Sequence, residues 1–134
     1  MNRFVPKNAN RFPGTVLERK KKRKNMNIVP LDESGQLDLI KEAKGYTIIF
    51  KHNTTCPISK STKSGFEKDA ELFPEDTTTY LLDILNHRDL SDAIAKDFDI
   101  VHESPQLLLI KDGVCTFQQS LYDISASEVV SHMQ

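Results

Sequence analysis

The sequence predicts an α/β domain, a mixed central β-sheet flanked by helices. Three observations predict it. Short apolar runs of strand length alternate with segments whose apolar residues recur every three or four positions, the periods of a sheet and of helices packed on it. The last two runs are separated only by Lys111-Asp112-Gly113, and Asp-Gly between apolar runs marks a hairpin, so one strand pair is antiparallel. A chain of 134 residues, 38% hydrophobic and 28% charged, has room for one substantial core and hardly for two.

Taken in order, residues 27–31 form a short apolar stretch, an edge strand. Ser34 is expected to cap a helix to about residue 43, with Leu37 and Ile40 on one face and Gly45 just beyond its end. Residues 46–51, Tyr-Thr-Ile-Ile-Phe-Lys, are nearly continuous in apolarity, as a strand covered on both faces must be. Ile58, Thr62, Phe66 and Ala70 recur at a spacing of four, which predicts a helix from Pro57 to about Leu72, stopped by Pro74. Residues 78–85 read as a second buried strand. Asp89 or Ser91 then caps a helix to Phe98, with Leu90, Ala93, Ile94 and Phe98 inward. Residues 106–110 and 114–117 are the hairpin strands. The run Ser125-Ala126-Ser127-Glu128 is a capping box opening a last helix that buries Val129, Val130 and Met133. Alternation followed by a closing hairpin and a terminal helix matches a thioredoxin-like fold over residues 26–134.

Charge is divided unevenly along the chain. Residues 1–25 hold nine Lys or Arg and a single acid, Glu18; the remainder holds nine Lys or Arg against eighteen acids. The leader, ending in Arg19-Lys20-Lys21-Lys22-Arg23-Lys24, has neither helical nor strand period and is expected to be a disordered basic extension, or sequence upstream of a true start at Met26. Such a run attracts phosphate-rich partners, but no aromatic or motif context supports base recognition, so nucleic acid is expected only through this tail. No apolar run approaches the ~20 residues that span a bilayer, and the leader lacks the apolar stretch of a secretory signal. Two cysteines, Cys56 and Cys115, are too few for a disulfide scaffold, and the four histidines complete no metal-ligand spacing; no metal or bound cofactor is expected. A reducing cytoplasm is the compartment this usage fits.

The chemistry concentrates at Thr55-Cys56-Pro57-Ile58-Ser59. A cysteine where a strand ends and a helix begins lies among backbone N–H groups without helical partners, at the positive end of the helix dipole. That setting favours thiolate over thiol, whose ordinary pKa is about 8.5. Pro57 suits the first helical position because no N–H is required there. Ser59 stands where a dithiol oxidoreductase carries its second cysteine. Lys51 either adds positive charge near the sulfur or is a solvated strand end. Ser104-Pro105, just before the third buried strand, is expected to be a cis turn facing the sulfur, with the Ser104 backbone free to bond an extended substrate; the alternative is an ordinary trans proline at a strand start. His102 and Glu103 border the cleft or are solvated. Cys115 is a small buried apolar residue or a resolving thiol.

Three stretches together, Thr-Cys-Pro-Ile-Ser at 55–59, Ile-Ala-x-x-Phe at 94–98 and His-Glu-Ser-Pro-Gln at 102–106, resemble the monothiol bacilliredoxins, or YtxJ-like proteins, over residues 26–124. The resemblance implies a thioredoxin-like fold, a bacterial host of the low-G+C Gram-positive or Bacteroidetes groups, and thiol-disulfide exchange with bacillithiol as thiol co-substrate. Cys56 matches the family's reactive cysteine and Pro105 its cis proline. Many members carry Ser-His-Trp after the hairpin, where this chain has Ser120-Leu121-Tyr122.

The expected activity is a glutaredoxin-like monothiol exchange. The Cys56 thiolate attacks a mixed disulfide between a client protein and a low-molecular-weight thiol, and a second small thiol clears the enzyme, because Ser59 cannot. The partners expected are S-bacillithiolated client proteins and the small thiol, in the service of cell redox homeostasis. The competing reading is a thioredoxin-fold binding module that presents its proline loop without redox turnover.

Overall fold

In the computed structural model, residues 26–133 are described. The expectation of an unfolded basic leader falls on residues 1–25, outside them. The strands are β1 (Asn27–Pro30), β2 (Tyr46–His52), β3 (Thr78–Asp83), β4 (Gln106–Lys111) and β5 (Val114–Ser120). The helices are α1 (Ser34–Glu42), α2 (Pro57–Lys68), α3 (Arg88–Asp97) and α4 (Ala126–Ser131). The sheet runs β1-β3-β2-β4-β5, with β1, β3 and β2 parallel and β4 and β5 antiparallel. This is the mixed sheet between helices that the alternation requires, and the thioredoxin-like topology.

Side chains of a strand alternate between faces, so the sheet carries two cores. Ile49, Leu82, Leu108 and Ile110 pack with Leu37 and Ile40 of α1 and Leu90 and Ile94 of α3. Ile48, Phe50, Leu107 and Leu109 pack on the other face with Phe66 of α2, Phe73, and Ala126 and Val129 of α4. Strand β2, between β3 and β4, has six of its seven residues buried. Its far end therefore projects from the middle of the molecule. The hairpin tip closes on the α1–β2 corner: Asp112 and Gly113 both take positive φ, and Asp112 Oδ1 accepts the Gly45 N–H at 2.7 Å.

Several expected boundaries move. The N-cap of α1 is Glu33, not Ser34; Gln36 reaches back instead, its Oε1 accepting the N–H groups of Asp32 (2.8 Å) and Glu33 (3.0 Å). Helix α2 ends at Lys68, and Ala70–Leu72 tighten into a 3-10 turn. Strand β3 stops at Asp83, leaving Ile84 buried but Leu85 exposed. His87 occupies the N-cap of α3, ahead of both expected caps, because the Asp83 carbonyl gathers the N–H groups of Asn86 and His87 into a turn. Strand β5 runs to Ser120, beyond the end of its apolar pattern. Helix α4 begins where expected, with the Ser125 hydroxyl accepting the Glu128 N–H.

Candidate active site

Cys56 is the N-cap of α2, extended at φ −100° and ψ 121°, and Pro57 is the first helical residue. The Cys56 carbonyl begins the helical ladder by accepting the Lys60 N–H at 3.0 Å. Pro57 brings no N–H, and those of Ile58 and Ser59 have no intrahelical carbonyl to meet. The cysteine is half-buried, between exposed Thr55 and exposed Pro57. It therefore lies at the surface of the fold and not in its interior.

The loop that presents it is closed by its own bonds. Asn53 Oδ1 accepts both the N–H (2.9 Å) and the hydroxyl (2.8 Å) of Thr55, and the Asn53 carbonyl accepts the Cys56 N–H at 3.1 Å. Ser59 is fully buried; its hydroxyl lies 2.6 Å from His52 Nδ1 and accepts the Asn53 N–H at 2.9 Å. His52 and Asn53 were not singled out by the sequence. The signal for His52 was parity, since it shares the face of Ile48 and Phe50 and so points toward α2.

Ser104-Pro105 is a cis peptide. Gln106 pairs with Lys51 in the sheet, so the turn borders the end of β2 from which the Asn53–Cys56 loop departs. Pro105 donates nothing, and its carbonyl accepts the Leu121 N–H at 3.0 Å. The Ser104 hydroxyl is buried with no hydrogen-bond partner among the described residues. The Ser120-Leu121-Tyr122 segment thus lies against the turn, with Leu121 at φ +55° and Tyr122 exposed. An open trough of about 780 Å³ starts at Glu103 and runs along Gln118, Ser120 and Tyr122 toward α4; Cys56 does not line it.

Lys51 is not a solvated strand end. It is fully buried, and it lies on the sheet face opposite α2, because its parity is that of Ile49. Its ammonium donates to the Ser91 carbonyl at 3.3 Å and meets His102 Nδ1 at 3.2 Å. Burial holds its pKa down to about 8, against a smaller opposing pull from Asp92. Burial, then the Lys51 charge, holds His102 below its ordinary value. His102 thus belongs to this buried cluster, while Glu103 is exposed.

Cys115 is placed away from the site. It pairs with Ile110, which pairs with Thr47, five residues short of the end of β2. That separation alone is roughly 16 Å, whereas a disulfide needs Cα atoms within about 7 Å. The Cys115 side chain packs on the α1–α3 face, and burial pushes its thiol up. No cluster of His, Cys, Asp and Glu suited to a metal occurs among the described residues, and none of their helices is long and apolar enough to cross a membrane.

The family model for the monothiol bacilliredoxin BrxC matches residues 29–129. A solved structure described as a candidate oxidoreductase with a thioredoxin fold is 32% identical, with a TM-score of 0.70, covering 78% of this chain and 91% of that one. Two thioredoxins share the fold at lower identity. A variant from Halobacterium salinarum NRC-1 is 17% identical, with a TM-score of 0.63 and coverage of 81% and 92%. That of Trypanosoma brucei brucei is 15% identical, with a TM-score of 0.64 and coverage of 78% and 86%.

Proposed function

The chain belongs to the monothiol bacilliredoxin family, and on that premise we propose that it removes bacillithiol, or a similar low-molecular-weight thiol, from protein cysteines through Cys56. Family and fold carry the coarser part, a thiol oxidoreductase of thioredoxin architecture. The observation that supports the finer part is the pairing of a half-exposed N-cap cysteine with a serine, not a cysteine, in the first turn it caps.

In the reaction, the Cys56 thiolate attacks the sulfur of the small thiol in a client mixed disulfide. One S–S bond forms as another breaks, and the client leaves as thiolate and takes a proton from solvent. Cys56 now carries the small thiol. A second small-thiol thiolate attacks that adduct, leaving as the symmetric disulfide and restoring Cys56; no net electrons remain on the protein. Thr55 and Pro57 shape the loop, Ser59 leaves the adduct without an internal attacker, and the Ser104–Pro105 turn receives the client as an extended segment. Lys51 supports the end of β2 from beneath. Such exchange belongs in a reducing cytoplasm, with S-bacillithiolated proteins as clients and no cofactor resident on the chain.

Peptide-resolved mass spectrometry after incubation with oxidised bacillithiol tests this. The adduct is expected on Cys56 and not on Cys115, with no Cys56–Cys115 crosslink, and Cys56→Ser is expected to abolish reduction of a bacillithiolated client. A Cys56→Ser protein that still reduces the client refutes the assignment.

A further inference from the structure

The position that would hold a resolving cysteine is occupied by a buried hydroxyl engaged on two sides. A serine hydroxyl has one proton to give. One lone pair of Ser59 Oγ is taken by the Asn53 N–H at 2.9 Å, and the remaining short contact, 2.6 Å, is to His52 Nδ1. If the hydroxyl donates along that contact, His52 accepts at Nδ1 and carries its own proton on Nε2, and no proton is left for the sulfur. The imidazole is suited to this, since it is 8% exposed and burial, then the Lys63 charge, holds it below the ordinary histidine range and so neutral at pH 7. From Ser59 the bonds run outward through Asn53, whose amide oxygen holds Thr55 and whose carbonyl holds the Cys56 N–H.

We propose that His52 is a positioning residue for Cys56, acting through Ser59: its neutral imidazole accepts the Ser59 hydroxyl, which fixes the Asn53–Cys56 loop and leaves that hydroxyl no proton for the sulfur. The proposal rests on the reading of Cys56 as nucleophile. It assigns residue 59 a mechanical part and removes it as a hydrogen-bond donor to the thiolate. It also makes strand β2, and not helix α2 alone, the element that aims the sulfur.

The test has two arms. Imidazole nitrogen–proton NMR of the full chain at pH 7 is expected to show His52 protonated on Nε2 and bare at Nδ1; a proton on Nδ1 overturns the proposal without any variant or substrate. The second arm follows exchange of Cys56 with the small disulfide 5,5′-dithiobis(2-nitrobenzoate), resolved by peptide so that Cys115 serves as internal control. Ser59→Ala and His52→Leu are each expected to slow Cys56 about tenfold, as loss of a fixed reacting geometry does. The double variant is expected to be no slower than either single one, because the two act as one unit. His52→Asn, which keeps an acceptor near Nδ1, is expected to recover most of the rate, with Cys115 labelling unchanged throughout. Singles whose effects multiply, an asparagine variant as slow as the leucine one, or Cys115 labelling that rises as Cys56 slows would each overturn it. Wild-type protein that exchanges with this probe yet leaves bacillithiolated clients untouched defeats the functional reading, while the cycle still decides the pair.

Discussion

Lys51→Met is expected to stabilise the protein at pH 7. The lysine is fully buried and has no carboxylate within ion-pair distance among the described residues; its ammonium rests on the Ser91 carbonyl and on His102 Nδ1. A pKa held from 10.5 down to about 8 means that the charged form is disfavoured in the fold by about 3 kcal/mol. Methionine fills similar volume without charge. It forfeits a hydrogen bond of about 1 kcal/mol, but His102 Nδ1 keeps the Ser91 hydroxyl at 3.2 Å. The net gain is about 2 kcal/mol, read by urea unfolding of both proteins. The sign with pH is specific. Below pH 8 folded and unfolded chains both hold the proton, so the penalty is complete. Between 8 and 10.5 the unfolded chain holds it and the folded chain does not, so wild type gains relative to the variant until the penalty vanishes. A variant less stable than wild type at pH 7, or a difference that stays constant from pH 8 to 10.5, refutes the reasoning.

At Gly113 a Cβ would stand 2.3 Å from the Lys41 carbonyl oxygen, on a backbone at φ +84°. Gly113→Ala is therefore expected to lose about 3 kcal/mol in denaturant unfolding; a loss under 1 kcal/mol contradicts the packing of the hairpin tip. On the acid side, His52 and His102 are both held below 6.5, each by burial first. The unfolded chain protonates them earlier, so stability falls as pH drops below 6.5 toward their folded values. Replacing both with asparagine is expected to flatten that fall, and an unchanged slope between pH 6.5 and 5 would show that other groups set it.

The parts of the fold that the sequence predicts well are those governed by hydrophobicity. Strands β2 and β4 are nearly continuous apolar runs, and Leu37, Ile40, Leu90 and Ile94 fall on single helical faces, so burial alone orders them. The misplaced boundaries are those set by polar bonds. Gln36 caps α1 from inside the helix, and Asp83 draws the chain toward α3 from upstream, so neither start shows the usual cap residue. Gln119 continues β5 past its apolar pattern because it is buried against the start of α4, accepting the Ser125 N–H at 3.0 Å and donating to Glu128. The same division applies at the site. Cys56, Pro57 and Pro105 carry backbone signatures that a sequence displays. The His52–Ser59 bond spans a strand, a loop and a helix, and Lys51 needed only its parity with Ile49 to be assigned to the other face.

Burial of polar groups marks the same end of the sheet as the candidate site. Of the nine buried polar residues among the described ones, six (Lys51, His52, Ser59, Ser91, Gln106 and Gln119) gather where β2 ends and β4 begins. Each costs desolvation unless bonded, and each is bonded. Open α/β sheets place their sites beyond the carboxyl ends of parallel strands, and this is that end of β2. One group there breaks the pattern, the Ser104 hydroxyl beside Pro105. A buried unpaired hydroxyl is unfavourable by about 1 kcal/mol or more, so Ser104→Ala is expected to match or exceed wild-type stability by about that amount. A serine bonded within the fold would instead lose stability on truncation. If the missing partner arrives with the client, the same variant turns over protein mixed disulfides several-fold more slowly. Reduced stability with an undiminished rate would make Ser104 a structural residue and detach the turn from client recognition.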